Sequence, residues 1–334
     1  MKKRIAGIIC AVLMAVLCLI AYARQSSTEG GLAQDQHSSP QSAAQPDASQ
    51  DKEEEHPPQF PPTNDLKEIV RRATEVDHHN FERAQKYTCV QREVVKQLDK
   101  NGNVKSTQAK TYDINFYFGE FYPKLIQEDD KPLSEKDQKK EDEKLEKFLN
   151  KRRNESEEER QKRLEKDKKE REEGRAFVKD VVNAYDFKLV GDDKISGEDT
   201  WVIEATPRSD FKPTQPHADM LKKIKGRIWI EKKEYNWVKL EAEATDTISF
   251  GLFLFRIHPG SRFALETSHI NNEFWALHRL YINGSARIAL LKNEIAEQED
   301  VFSNFKKFST SVKILPGVQE VQPEKPEQKS APPQ

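Results

Sequence analysis

One face of a predicted helix carries four side chains whose types and spacing suit metal binding. They are Glu75, His78, His79 and Glu82, which follow one another at i, i+3, i+4 and i+7. A helix brings such positions together, and imidazole and carboxylate groups are common ligands of divalent metals. This face lies opposite the apolar stripe of the same helix, and no matching ligand stands out elsewhere in the sequence. We therefore expect a solvated surface, no metal and no cofactor.

Residues that act as nucleophiles or bases are scattered. Cys89 is the single cysteine after the N-terminal segment, within the alternating run Tyr87–Val90, which favours a small core residue. Ser261 follows Gly260 at a turn. The histidines His217, His258, His269 and His278 are spread over several segments. The chain has no Gly-x-Ser-x-Gly, His-Glu-x-x-His, Cys-x-x-Cys or phosphate-binding glycine loop. We expect no enzyme; a hydrolase with a site assembled from scattered residues is a third hypothesis.

Large apolar side chains are more abundant than the core of a small sheet requires. Burying one contributes about 1.5–3 kcal/mol, so a core role explains most of them. Ile248–Ile257 is apolar on both faces, which predicts a strand covered on its second face by a helix or an apolar ligand. The candidate ligand-lining residues are Trp229, Phe250, Leu252, Phe253, Leu254, Phe255 and Trp275.

The elements that position these residues begin with a helix over about Asp65–Lys86. Asp65 and Glu68 have the spacing of a capping box, and apolar residues recur at helical spacing. A hairpin follows, in which Tyr87–Leu98 and Val104–Phe118 are strands and Asn101-Gly102 is the turn.

Residues 134–175 are mostly charged, with the two signs nearly balanced. Ser134 with Asp137, and Ser156 with Glu159, predict the caps of two successive helices, and acid-before-base pairs at i, i+4 support exposed helices. The segment is interpreted as a solvated helical hairpin projecting from the sheet, or as a docking arm for a partner protein.

From Phe177 to Phe308 the pattern predicts strands, apart from a short helix over His217–Lys223. The predicted strands are Phe187–Gly191, Thr200–Thr206, Arg227–Glu231, Trp237–Thr245, Ile248–His258, Arg262–Ile270, Glu273–Ile282, Ala286–Asn293 and Glu299–Phe308. In Trp237–Ala244 apolar and charged residues alternate, which is typical of a sheet with one buried and one solvated face.

The ends of the chain predict export. Residues 1–23 combine a basic start, an apolar run and Ala21-Tyr22-Ala23, the pattern of a cleaved signal peptide; an uncleaved membrane anchor is the alternative. Residues 24–63 and 316–334 are polar, which predicts a disordered linker and tail around a single domain over 64–315. The 55 basic and 57 acidic residues give no basic excess, so we expect no nucleic-acid partner.

The consecutive strands resemble those of bacterial lipoprotein-sorting proteins of the LolA, LolB, LppX and RseB type. The segments concerned are Phe187–Gly191, Trp201–Arg208, Gly226–Ile230 and Val238–Ala242. The chain also resembles exported proteins called outer-membrane lipoprotein-sorting proteins, in which a charged helical insertion follows a segment similar to Asp130–Ser134.

The resemblance implies an α+β fold: a large curved antiparallel sheet, an incomplete half-barrel, with helices on its concave face and the charged helical hairpin inserted. It implies an envelope protein, placed in the periplasm or on the extracytoplasmic face, that binds a lipid or the acyl chains of lipoproteins. The alternative is an RseB-like interaction or sensor protein that engages an envelope protein through the charged arm.

Overall fold

The computed structural model describes residues 58–250, 255–288 and 292–308. The predicted signal peptide, most of the predicted linker, the predicted tail, and Leu252, Phe253 and Leu254 lie outside these residues. Within them, none of the helices combines the length and the apolar character needed to cross a membrane.

The described residues form three α-helices, one short 3-10 helix and one antiparallel sheet. The helices are α1 (Leu66–Ala84), α2 (Glu135–Arg153) and α3 (Glu157–Ala184), and the 3-10 helix is Ala218–Lys223. The strands are β1 (Tyr87–Leu98), β2 (Val104–Tyr117), β3 (Glu120–Glu128), β4 (Lys131–Pro132), β5 (Tyr185–Ile195), β6 (Glu198–Pro207), β7 (Ile224–Glu231), β8 (Trp237–Ala244), β9 (Ile248–Phe250), β10 (Phe255–Ile257), β11 (Arg262–Ile270), β12 (Phe274–Ile288) and β13 (Lys292–Lys307).

The sheet is open and curved. Its order is β4-β3-β2-β1-β13-β12-β11-β8-β7-β6-β5, with the β9–β10 hairpin attached to β12 through β10. The terminal strands β4 and β5 do not pair, so the sheet is not closed into a barrel. The predicted α+β half-barrel fold, with helices on the concave face, is confirmed.

Helix α1 packs its apolar stripe on the concave face of the sheet. Ile69, Val70, Ala73 and Val76 are buried against a cluster that includes Ile203, Ile228 and Ile230. Asp65 caps the helix by accepting a hydrogen bond from the backbone N–H of Lys67 at 3.0 Å. The predicted capping box is wrong, because the Glu68 carboxylate instead pairs with Arg71 and Arg72.

The charged segment forms the predicted helical hairpin, with both predicted caps. Ser134 caps α2, and Ser156 forms a capping box with Glu159 at the start of α3. Helix α3 continues to Ala184, past the predicted end of the hairpin at residue 175, so the prediction of an almost wholly β region from Phe177 is wrong for its first eight residues. The reason is that Phe177, Val181 and Ala184 recur at helical spacing and pack against Tyr185, Ala205 and the 3-10 helix.

Helix α3 joins the two edges of the sheet. Near its start, Arg163 contacts the carbonyl oxygen of Phe118, in the β2–β3 turn. Its last residue, Ala184, leads directly into β5, the strand at the opposite edge. A helix of 28 residues is about 42 Å long, which is enough to cross the open side of a curved sheet.

Two strand predictions are corrected by long-range packing. Ile248–His258 is not one strand: β9 and β10 pair antiparallel, which places Ile248 opposite Ile257 in one apolar cluster. Ala286–Asn293 is not a separate strand, because Ala286–Ile288 continue β12 and Asn293 belongs to β13. Gly284, between the two strands predicted there, lies inside β12, where a Cβ would collide with the Ser261 side chain.

Candidate apolar binding site

A cavity of about 120 Å³ lies between the helices and the concave face of the sheet. Helix α1 contributes Val70, Thr74 and Asp77, and helix α3 contributes Phe177 and Val181. The 3-10 helix and the strands supply further apolar side chains, namely Met220, Leu221, Phe187, Ala205, Ile224, Ile228, Trp237, Leu240, Ala242 and Phe263. The cavity is close in size to a dry apolar cavity of about 150 Å³ that accepts benzene.

Local periodicity explains why these residues share the cavity. Val70, Thr74 and Asp77 are four and three residues apart on α1, and Phe177 and Val181 are four apart on α3, so each set lies on one helix face. On β7 and β8, alternate residues point to the same face of the sheet. The cavity wall is therefore built from one stripe of each helix and one face of the strands.

The cavity exists because small residues form a row across three strands. Ala205 on β6 pairs with Gly226 on β7, which pairs with Ala242 on β8. A Cβ on Gly226 would lie 2.8 Å from the backbone oxygen of Glu241, so the strand contact itself requires glycine. Larger side chains at these three positions would fill the space beneath the helices.

Three hydrogen-bonding side chains border this apolar space. Asp77 is partly buried, and this burial raises the pKa of its carboxyl from 3.8 to about 7. Burial also raises the pKa of Tyr185. Trp237 is buried, and its Nε1–H has no hydrogen-bond partner among the described residues.

The remaining polar residues at the cavity are satisfied or turned away from it. The Thr74 hydroxyl donates to the carbonyl oxygen of Arg71 at 2.6 Å. Arg227 and Glu241 are exposed, and strand alternation places them on the opposite face from Ile228 and Leu240. Glu241 also pairs with Lys239 at 2.6 Å.

The sequence-predicted ligand-lining residues lie apart from this cavity where the structure describes them. Trp229 and Trp275 come together with Val202 and Val238 in a separate buried cluster. The backbones of Phe250 and Phe255 pair in the β9–β10 hairpin. A ligand-lining role for the seven residues therefore stays a prediction.

Sequence reasoning missed the residues that line the cavity. The row Ala205, Gly226 and Ala242 is set by strand register, which the sequence does not display. Asp77 did carry a signal, since it lies three residues after Thr74 and seven after Val70 on the stripe side of the helix. The Glu75, His78, His79 and Glu82 face is elsewhere: Glu75 pairs with Arg71, and His78 with Glu82.

The α2–α3 hairpin is fixed to β3 by a compact set of ion pairs and aromatic contacts. Glu155, in the loop between the helices, accepts from Arg163 at 2.8 Å, and Arg152 pairs with Glu120 of β3 at 2.7 Å. The ring of Tyr122 packs on Phe148 with centroids 4.9 Å apart. The hairpin therefore lies against the edge of the sheet instead of only projecting from it.

Comparison with known proteins found no matching family model and no matching curated protein. Among solved structures, a putative outer-membrane lipoprotein-sorting protein domain from Vibrio parahaemolyticus is 11% identical, with a TM-score of 0.31; the match covers 74% of this chain and 94% of that one. A LolA superfamily protein from Nitrosomonas europaea is 11% identical, with a TM-score of 0.23 and coverage of 72% and 93%.

The MucA/MucB complex of Pseudomonas aeruginosa is 8% identical to the chain, with a TM-score of 0.21 and coverage of 74% and 100%. Scores this low carry no argument about function. In fold, the chain is similar to the lipoprotein-sorting and LolA-superfamily proteins named above.

Proposed function

We propose that the chain is an exported envelope protein that binds a lipid or a lipoprotein acyl chain between its helices and the concave face of its sheet. The observation that carries this proposal is the apolar cavity under α1 and α3, bordered by Ala205, Gly226 and Ala242. Transfer of apolar surface from water contributes about 25 cal/mol per Å², so an alkyl chain gains free energy by entering such a space.

A binding role also agrees with the chemistry around the cavity. The nucleophilic and basic residues considered from the sequence, Cys89, Ser261 and His278, are not among the residues that line it. Asp77 is the acidic residue that α1 contributes, and it has no hydrogen-bonded base among the described residues. We therefore propose binding as the function instead of hydrolysis.

The test is to fill the cavity and to measure lipid binding by native mass spectrometry after purification from the envelope. Ala242→Phe places a ring in the row of small residues, and we expect it to abolish co-purification of lipid. Ala264→Phe is the matched control, because Ala264 pairs with Glu241 on the neighbouring strand and faces the other side of the sheet. Circular dichroism and the thermal midpoint check that both variants fold.

The result that would overturn the proposal is a folded wild-type protein that neither carries lipid nor takes it up from added vesicles. Equal lipid binding by Ala242→Phe and by the wild-type protein would show that lipid binds outside this cavity. Phe250, Phe253 and Phe255, changed together to aspartate, then test the site predicted from the sequence.

A second candidate function is binding of an envelope protein partner through the α2–α3 hairpin. The observation that favours it is the anchoring of the hairpin to β3 by Arg152 and Arg163, which presents the charged outer face of α2 in a fixed position. Reversing the exposed charges of Lys136, Lys139 and Lys147 would abolish capture of such a partner in cross-linking, while leaving lipid binding unchanged.

A further inference from the structure

The cavity has an unusual polar content for a site that would hold only alkyl chains. Asp77, Tyr185 and Trp237 all line it. The carboxyl of Asp77, the hydroxyl of Tyr185 and the Nε1–H of Trp237 make no hydrogen bond within the described part of the chain. Tyr185 and Trp237 are only 6% and 8% exposed and Asp77 is partly buried, so water replaces the missing partners only in part.

Enclosing such groups without partners costs free energy. A buried donor or acceptor loses its hydrogen bonds to water, and an ionised carboxylate loses more than a neutral group. A leucine in place of Asp77 would fit the apolar stripe of α1 and avoid this cost. A ligand that supplies the missing hydrogen bonds accounts for the presence of these groups.

The charge around Asp77 limits the chemistry of that ligand. The other ionisable residues lining the cavity are Tyr185 on β5, Arg227 on β7 and Glu241 on β8. Arg227 and Glu241 are exposed and lie on the far face of their strands, while α3 and the 3-10 helix contribute apolar side chains. No cationic side chain among the described residues pairs with Asp77, so the cavity favours a donor and disfavours an anion.

We propose that the cavity binds an amphiphile whose polar end carries a hydrogen-bond donor, a hydroxyl or an amine, and that the Asp77 carboxyl accepts that hydrogen bond. This inference rests on the proposed function and specifies its ligand. The apolar part lies along the row of Ala205, Gly226 and Ala242. A hydroxyl has the further advantage that its oxygen can accept a hydrogen bond from the hydroxyl of Tyr185.

Four probes built on a six-carbon chain, one of which carries an added O-methyl group, separate the head groups. Hexan-1-ol and hexylamine carry a donor, hexyl methyl ether carries none, and hexanoate carries a negative charge. Calorimetric or NMR titrations of the purified protein are expected to show hexan-1-ol or hexylamine binding about tenfold more tightly than the ether, the effect of one hydrogen bond to a charged or partly charged group. Hexanoate is expected to bind most weakly at pH 8.

Two substitutions of Asp77 assign the effect to its carboxyl. Asp77→Leu is expected to remove the difference between hexan-1-ol and the ether, and the variant folds because an unpaired polar group is replaced by an apolar one. Asp77→Asn keeps a hydrogen-bond acceptor but loses the charge. This variant is expected to keep its affinity for hexan-1-ol and to lose affinity for hexylamine. Glu75→Leu is the control, because Glu75 lies on the same helix and pairs with Arg71 in solvent.

The outcomes separate this inference from the proposed function. Equal affinity for all four probes, tightest binding of hexanoate, or no binding of any probe overturns the inference, while lipid carried by the wild-type protein would still support the proposed function. A preference for a donor head that survives Asp77→Leu also overturns it. A preference lost in Asp77→Leu and kept in Glu75→Leu supports it.

Discussion

At the scale of single residues, the carboxyl of Asp77 makes the stability of the folded protein depend on pH. Its carboxyl has a pKa of about 7 in the folded protein against 3.8 as the ordinary value. Between these pH values the folded chain keeps a proton that the unfolded chain releases, so this group lowers the free energy of unfolding as pH rises from about 4 to about 7. Above pH 7 its contribution is constant.

We predict that Asp77→Asn removes this dependence. The amide does not ionise, so the variant should gain stability relative to wild type as pH rises from 4 to 8, by up to about 4 kcal/mol, the equivalent of three pKa units. Urea unfolding at several pH values measures the difference. The difference is the relevant quantity because carboxylates with lowered pKa, such as Glu68 beside Arg71 and Arg72, add a slope of the opposite sign.

The matched control is Glu75→Gln on the same helix. Glu75 is half-exposed and pairs with Arg71 in solvent, where an ion pair contributes roughly 0–1 kcal/mol. Its substitution should leave the pH profile parallel to that of wild type. A parallel profile for Asp77→Asn would show instead that water or another group reaches the Asp77 carboxyl.

At the scale of elements, local sequence signals identified most of the fold. The 12-residue strand β1 and the N-caps Ser134 and Ser156 lie where alternation and capping patterns predict them. Such signals depend on near neighbours in the chain. The predicted continuous strand Ile248–His258 was wrong because the pairing of Phe250 with Phe255 depends on register, and register is fixed by contacts with β12.

The residues of the binding site were even harder to predict from the sequence, because they too depend on strand register. The small residues Ala205, Gly226 and Ala242 belong to three separate strands and become neighbours only through pairing. Their positions in sequence carry no period that would connect them. Sequence reasoning instead selected the most apolar segment, although a cavity requires small side chains as well as apolar ones.

The attachment of the α2–α3 hairpin is a second property that belongs to an element. The Nε–H and Nη2–H groups of Arg163 donate hydrogen bonds to both carboxylate oxygens of Glu155, and this contact holds the pKa of the Glu155 carboxyl below its ordinary value. Both side chains are largely buried, with 14% and 9% exposed. The pair is therefore shielded from solvent much more than an ion pair on a helix surface.

We predict that Arg163→Ala loosens the α2–α3 hairpin and its contact with the β2–β3 turn, at a cost of about 1–3 kcal/mol, the range for a hydrogen bond to a charged group and for a polar group left without its partner. Hydrogen exchange of α2 should accelerate. The control is Lys162→Ala, one residue away, whose ion pair with Glu158 is 71% and 78% exposed and should contribute almost nothing. Equal effects of the two substitutions would contradict an anchoring role for Arg163.

At the scale of the whole molecule, distant parts of the chain are interlocked. Strand β1 pairs with β13, so Tyr87 lies opposite Lys307. Helix α1 precedes β1 in the chain but packs on β12 and on strands of the β5–β8 part of the sheet. There, Arg72 donates to the Tyr235 hydroxyl at 3.0 Å, and Asn80 bonds both Asn236 and the backbone N–H of Trp275. Helix α1, which leads into β1, is therefore bonded to the β7–β8 loop and to β12.

We therefore predict that α1, β5–β8 and the β1–β13 pair unfold in one transition. In native-state hydrogen exchange, their slowest amides should share one free energy of opening, equal to that from urea unfolding. The reason is that α1 packs both on the cluster around Ile203 and Ile230 and, through Ala84, on the cluster that holds Tyr87 of β1 and Phe305 of β13. Helix α2 and the first half of α3 are largely solvent-exposed and should exchange at lower free energy, which provides an internal control.

If β1–β4 opened separately from β5–β8, the contacts of Arg72 and Asn80 would not couple these two groups of strands. A ligand in the cavity would then stabilise only α1 and β5–β8, whereas in the interlocked protein it raises the opening free energy of β1 and β13 by the same amount.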